Sequence, residues 1–151
     1  MERIASFAVD HRKIREGIYI SRTDGDIITF DLRMKRPNCG DVLETGDAHA
    51  IEHLGATYLR NSRHKDSVIY FGPMGCRTGF YLLTRNLSGQ ELIDLVVSCY
   101  AFIADFEGEI PGATEIECGN FRDMSLVGAK AEAEKYLSFI RRYGEDRLRY
   151  D

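Results

Sequence analysis

Ile18-Tyr19-Ile20-Ser21-Arg22-Thr23-Asp24-Gly25-Asp26-Ile27-Ile28-Thr29-Phe30-Asp31-Leu32 holds two short β-prone runs, 18–20 and 27–32, around Thr23-Asp24-Gly25-Asp26. An Asp-Gly step between such runs lets the chain reverse, because glycine adopts positive φ without steric cost, so the segment reads as an antiparallel hairpin. Two more short runs follow the same logic. Val68-Ile69-Tyr70-Phe71 and Gly79-Phe80-Tyr81-Leu82-Leu83-Thr84 flank the turn-rich Gly72-Pro73-Met74-Gly75 and read as two further strands.

Helical periodicity fills the rest. From about 46 to 61 there is no proline, and Ile51, Leu54 and Tyr58 recur at helical spacing. Ser88 followed by Glu91 is a capping-box pattern, opening a helix whose stripe is Leu92, Leu95, Val96, Cys99, Ile103 and Phe106. A last helix, about 126 to 143, presents Ala129, Ala133, Tyr136, Leu137 and Ile140 to one side. The order of elements predicts an α+β fold, a mainly antiparallel sheet with helices packed on it. With 151 residues, 44% of them hydrophobic, and no linker or repeat, one domain over 1–151 is expected.

Charge narrows the partners. Twenty basic and 24 acidic residues interleave to a net −4, leaving no basic footprint for a nucleic acid. No run approaches the roughly 18 apolar residues of a membrane span, and the start Met-Glu-Arg-Ile-Ala-Ser-Phe-Ala-Val-Asp lacks the long apolar core of a signal peptide. A cytoplasmic protein is expected, with neither nucleic acid nor membrane as partner. Cys39, Cys76, Cys99 and Cys118 match neither a paired-CxxC zinc knuckle nor a short disulfide framework, so they read as thiols. Cys99, on a helix stripe, reads as core.

The strongest chemical signal is His49-Ala50-Ile51-Glu52-His53. On a helix, imidazoles at i and i+4 lie one above the other and can share a metal ion, with Glu52 near enough to handle protons. The blander reading is a helix surface bearing two unrelated histidines. The same spacing marks inverzincin peptidases, so it does not name a reaction. A catalytic site takes three protein ligands and keeps one position open. The third is open among His11, His64, Cys76, Cys118 and the acids; Cys118, before Gly119 in a polar loop, is as readily a buried thiol as a ligand. Cys76, set between Gly75 and Arg77, is either a reactive thiolate or part of an ordinary turn.

Taken together, His49-Ala50-Ile51-Glu52-His53-Leu54, Gly72-Pro73-Met74-Gly75-Cys76-Arg77-Thr78-Gly79-Phe80-Tyr81-Leu82 and Glu117-Cys118-Gly119-Asn120-Phe121-Arg122-Asp123 resemble, in order and spacing, the S-ribosylhomocysteine lyase family. Ser6-Phe7-Ala8-Val9-Asp10-His11 and Phe30-Asp31-Leu32-Arg33 extend the likeness over nearly the whole chain. The resemblance implies a carbon–sulfur lyase that cleaves the thioether of S-ribosylhomocysteine to homocysteine and the autoinducer-2 precursor, serving the activated methyl cycle and quorum sensing. It implies one divalent metal on His49, His53 and Cys118, Fe2+ by expectation with Zn2+ or Co2+ as substitutes. It implies Cys76 as acid/base for early proton shifts and Glu52 for later ones and the β-elimination. Ser6, His11 and Arg33 match substrate-contacting positions, with help across a homodimer interface.

Arg60 lies seven residues after His53 on the same helix, where it either holds a substrate carboxylate or is a solvated surface arginine. Two positions depart from the family pattern: Ala50, where Thr or Ser commonly stands, and Met124, where histidine commonly follows Arg-Asp. The first puts the orientation of His49 in question. A peptidase using Glu52, or a non-catalytic metal-binding module, would each leave Cys76 without a task.

Overall fold

Strand β1 (Gly17–Asp24) turns back into β2 (Ile27–Arg33) across a two-residue loop, Gly25-Asp26, pairing Asp24 with Ile27. Gly25 has φ +61° while Asp26 is not left-handed, the pattern of a type II′ turn. The loop is thus Gly-Asp, with Asp24 the last strand residue. β3 (Val68–Pro73) and β4 (Gly79–Arg85) form the second hairpin, and the sheet order is β1-β2-β4-β3, antiparallel throughout. The structure, a computed structural model, describes residues 1–151.

The helices are a short α1 (Ala5–Ala8), α2 (Thr45–Asn61), α3 (Gly89–Asp105) and α4 (Leu126–Ile140). α2 packs on β3, with α3 and α4 packed beside it. Ile18, Phe30, Leu32, Phe80 and Leu82 of the sheet join Ile51, Leu54, Leu92, Val96, Ala133 and Leu137 of the helices in a single apolar core. This is the expected α+β arrangement, and no helix is long and apolar enough to cross a membrane.

The capping box forms as read: Ser88 Oγ accepts from the Glu91 amide at 3.1 Å, and Glu91 Oε1 accepts from the Ser88 amide at 3.0 Å. Removing the hydroxyl in Ser88→Ala frees a helix-start amide, so the urea midpoint should fall by an amount equivalent to about 1 kcal/mol. Phe106 caps α3 rather than extending it. α4 ends at Ile140, three residues short of expectation, because Tyr143 turns inward and its hydroxyl bonds the carbonyls of Ile18 and Arg147, both at 2.8 Å. Cys99 is buried, and burial pushes its thiol well up from its ordinary range, as expected of a core cysteine.

Candidate metal and acid–base site

α2 is two-sided. Ala48, Ile51, Leu54, Gly55 and Leu59 are buried, leaving His49, Glu52 and His53 half-buried on the other side. The two imidazoles meet edge to face, ring centres 4.9 Å apart. Each is held by its Nδ1: His49 donates to the Asp123 carbonyl and His53 to the Pro111 carbonyl, both at 2.8 Å. A carbonyl can only accept, so both rings carry their proton on Nδ1 and leave the Nε2 lone pair free for a metal.

Cys118 Sγ sits 3.3 Å from His49 Nε2, and one donor atom each from His49, His53 and Cys118 all lie within 4.8 Å of one another. Ligands at tetrahedral angles with typical zinc bond lengths have nitrogen and sulfur about 3.6 Å apart, so these two nitrogens and one sulfur could hold one divalent ion and leave a fourth position open.

The chain that delivers Cys118 is pinned at both ends. The Thr114 carbonyl accepts from the Glu117 and Cys118 amides, turning the thiol back, and the Ser125 amide bonds the Gly46 carbonyl of α2 at 3.0 Å. Gly112 has φ +75°, and a Cβ there would stand 3.0 Å from His53 Nδ1. Gly112→Ala is therefore expected to displace the His53 ring and weaken metal affinity by roughly 10–100-fold, the range for disturbed supporting contacts, read by competition with a chromogenic chelator.

The departure at Ala50 does not disturb His49. Its side chain is fully buried in the core, and His49 is oriented by the Asp123 backbone, so no hydroxyl at 50 is needed for that contact. Met124 likewise packs against the core.

Glu52 and His53 line one open cleft of about 280 Å³, together with Ala56, Thr57, Pro111 and Gly112. A carboxylate in the same cleft as an imidazole that could hold a metal can take up and return protons on a ligand bound there. A roomier hollow of about 670 Å³ between α2 and α3, lined by Tyr58, Arg63, His64, Glu91 and Phe102 among others, contains none of His49, Glu52, His53, Cys76 and Cys118. Donor chemistry rather than volume marks the site.

Cys76 belongs to a second cluster, in the turn between β3 and β4. Its Sγ lies 3.0 Å from Thr78 Oγ1, which accepts from Arg33 Nη1 at 2.8 Å. Arg33 is committed further: its Nε and Nη2 donate to the two oxygens of Asp31, in a pair with side chains 3% and 1% exposed. Arg77, adjacent in sequence to the thiol, reaches the Leu43 carbonyl at 3.4 Å. Arg33, matched in sequence to a substrate-contacting position, is buried behind Cys76 with its donors on Asp31 and Thr78.

Arg60 is likewise occupied, donating to the carbonyls of Val68 and Ile69 at 3.1 and 2.8 Å and tying the end of α2 to β3. Of the two sequence readings, a holder of a substrate carboxylate or a solvated surface arginine, neither included these strand contacts. Ser6 lines a separate cleft with Ser21, Arg22, Thr29 and Tyr81, and His11 Nδ1 donates to the Val9 carbonyl at 2.9 Å. Neither is joined to the metal triad or to Cys76 by a hydrogen bond. Thr78, Asp31 and Tyr150, whose hydroxyl donates to Asp31 at 2.6 Å, were not read from the sequence. Of these only the Asp31/Arg33 spacing carried a signal, since i and i+2 on a strand share a face.

A family profile described as S-Ribosylhomocysteinase (LuxS) matches residues 4–145. The chain is 47% identical to S-ribosylhomocysteine lyase of Clostridium acetobutylicum, covering 99% of both chains. It is 51% identical to the protein of the same name from Desulfotalea psychrophila, over 93% of this chain and 92% of the relative. A third, from Finegoldia magna, is 48% identical over 99% of each.

Proposed function

Because the chain belongs to the S-ribosylhomocysteine lyase (LuxS) family, we propose that it cleaves the thioether of S-ribosylhomocysteine, releasing homocysteine and 4,5-dihydroxy-2,3-pentanedione, within a single catalytic domain over 1–151. The observation that carries this reading is the donor set of His49, His53 and Cys118 with Glu52 in the adjoining cleft. The ion is Fe2+, for which Zn2+ or Co2+ can substitute in such a donor set. When bound it supplies Lewis acidity toward a sugar carbonyl or hydroxyl oxygen, lowering the cost of removing the neighbouring proton.

The chain's own residues do the proton work. Cys76, as thiolate, takes the proton from the carbon beside the carbonyl and returns it to the former carbonyl carbon, while the proton of the neighbouring hydroxyl passes to the former carbonyl oxygen, moving the carbonyl one place along the sugar. Glu52 serves the next shift. It then removes the proton whose bonding pair forms the new double bond, and the C–S bond breaks with its electrons leaving on the homocysteine sulfur. No oxidant or reductant is consumed.

The working form is a homodimer in the cytoplasm, serving the activated methyl cycle and quorum sensing. Ile4 and Phe7 are 54% and 64% exposed on the N-terminal segment that carries Ser6 and His11, apolar surface suited to a partner subunit. Ser6 and His11 of one subunit would then contact substrate in the other's site. Subunits carrying Ser6→Ala with His11→Ala, mixed with subunits carrying Cys76→Ala, should regain up to about a quarter of parental activity per site by random pairing; mixtures as inactive as either variant alone would sink the shared-site reading.

The lyase reading itself is tested by thiol release from S-ribosylhomocysteine, using anaerobically purified, iron-loaded protein beside chelator-treated protein. Metal-dependent release is expected. Its absence from folded, fully metallated protein would overturn the assignment.

A further inference from the structure

Behind the β3–β4 turn, the sheet face opposite the helices carries an ion pair with almost no solvent exposure. Phe30 and Leu32 point into the core, so Asp31 and Arg33, alternating with them, share the other face. Burying such a pair rarely gains stability over apolar packing, because desolvation offsets the attraction. What it does provide is direction. Arg33 can only donate, so Nη1 occupies an acceptor lone pair of Thr78 Oγ1 and leaves the hydroxyl proton to point elsewhere. The sulfur of Cys76, at 3.0 Å, is its partner.

The chain of contacts continues away from the thiol. Asp31 holds Arg33 with both oxygens and also accepts from Tyr150, the penultimate residue of the chain, whose ring stacks on Tyr19 with centres 4.9 Å apart. Burial and the adjoining Asp31 carboxylate push the Tyr150 hydroxyl well up from its ordinary range, so it stays a donor at all working pH. The network therefore has one polarity: Tyr150 to Asp31, Arg33 to Asp31 and to Thr78, and Thr78 to sulfur. No buried side-chain nitrogen or oxygen is left unpaired to reverse it.

We propose that Thr78 is a positioning residue that donates its hydroxyl hydrogen to the Cys76 thiolate, and that Arg33, Asp31 and Tyr150 lock that hydroxyl in its donating orientation. The proposal rests on the reading of Cys76 as an acid/base of the lyase reaction. A hydrogen bond to a charged acceptor is worth more than one between neutral groups, so the thiolate is favoured over the thiol. The other charged and titratable groups acting on Cys76 are Arg33 from β2 and Tyr81 from β4, with Asp31 behind Arg33 and Arg77 next in sequence.

The test measures Cys76 alkylation by iodoacetamide against pH in metal-loaded protein, followed on the Cys76 peptide by mass spectrometry. This readout needs no turnover, so failure of the lyase reading in the thiol-release assay is distinguishable from failure here. Thr78→Val removes the hydroxyl at nearly constant shape and should lower alkylation near neutral pH about tenfold, with the profile moved to higher pH. Thr78→Ser should restore the parental profile, and Tyr150→Phe should move it in the same direction as Val by a smaller amount. Equal shifts in Val and Ser would mean packing alone and overturn the proposal, as would superimposable profiles for parent, Val and Phe. Should Thr78→Val fail to fold, Tyr150→Phe decides: a shift supports the relay, and an unchanged profile overturns it.

Discussion

Glu52→Gln is expected to keep its metal and lose thiol release by roughly 10²–10⁴-fold, the usual worth of a positioned acid–base group. The amide fills the same part of the cleft beside His53 but cannot take a proton. Glu52 is also outside the donor set of His49, His53 and Cys118, so metal content should stay at the parental value. Because Cys76 is assigned the early proton shifts and Glu52 the later ones, the variant should still convert substrate to a rearranged keto sugar without releasing thiol. Cys76→Ala should retain metal and convert nothing. Carbon NMR of the sugar, with metal analysis and a thiol reagent alongside, separates the two. Activity within a few-fold of parent in Glu52→Gln would remove that residue from the chemistry.

Cys118→Ala or His53→Ala is expected to fail at an earlier point. Either leaves two donors of three, and the loss of affinity should exceed the roughly 10–100-fold typical of disturbed supporting groups. Dialysed protein should then be metal-free and inactive. Activity restored in Cys118→Ala by excess Fe2+ would keep the site and weaken only its occupancy. A parental metal content in both variants would move the ion elsewhere. Cys118 lies outside the core, on a turn held by the Thr114 carbonyl, so far-UV circular dichroism should not change.

Much of the fold follows from short-range pattern. The Gly25 corner, the Ser88–Glu91 cap and the apolar stripes of α2 and α3 each depend on residues within a few positions, and each forms where its pattern lies. The end of α4 does not. Arg141 and Arg142 are good helix formers, yet the helix stops at Ile140 and the Tyr143 hydroxyl bonds the backbone of β1, 125 positions away. Sheet order is similarly invisible: β2 pairs with β4 rather than with β3, which follows it, although α2, which lies between β2 and β3 in the chain, packs on β3.

The site divides along the same line. That His49 and His53 share one side of a helix was set by their spacing of four, because 3.6 residues per turn leaves little freedom. Bringing Cys118 to His49 from 69 positions away, and leaving Nε2 as the free nitrogen, needed the folded chain. The groups that make that choice are backbone carbonyls of Pro111 and Asp123, which every residue type possesses and no sequence pattern marks. The arginines show the converse. Arg33 and Arg60 look available for a ligand when read as residue types, yet in the fold their donors go to Asp31 and Thr78 and to the β3 backbone. Sequence by itself determined the local elements, the pairing of His49 with His53 on one helix side and the family; the tertiary structure alone decided which donors meet and which are already taken, because hydrogen-bond partners are assigned by three-dimensional proximity.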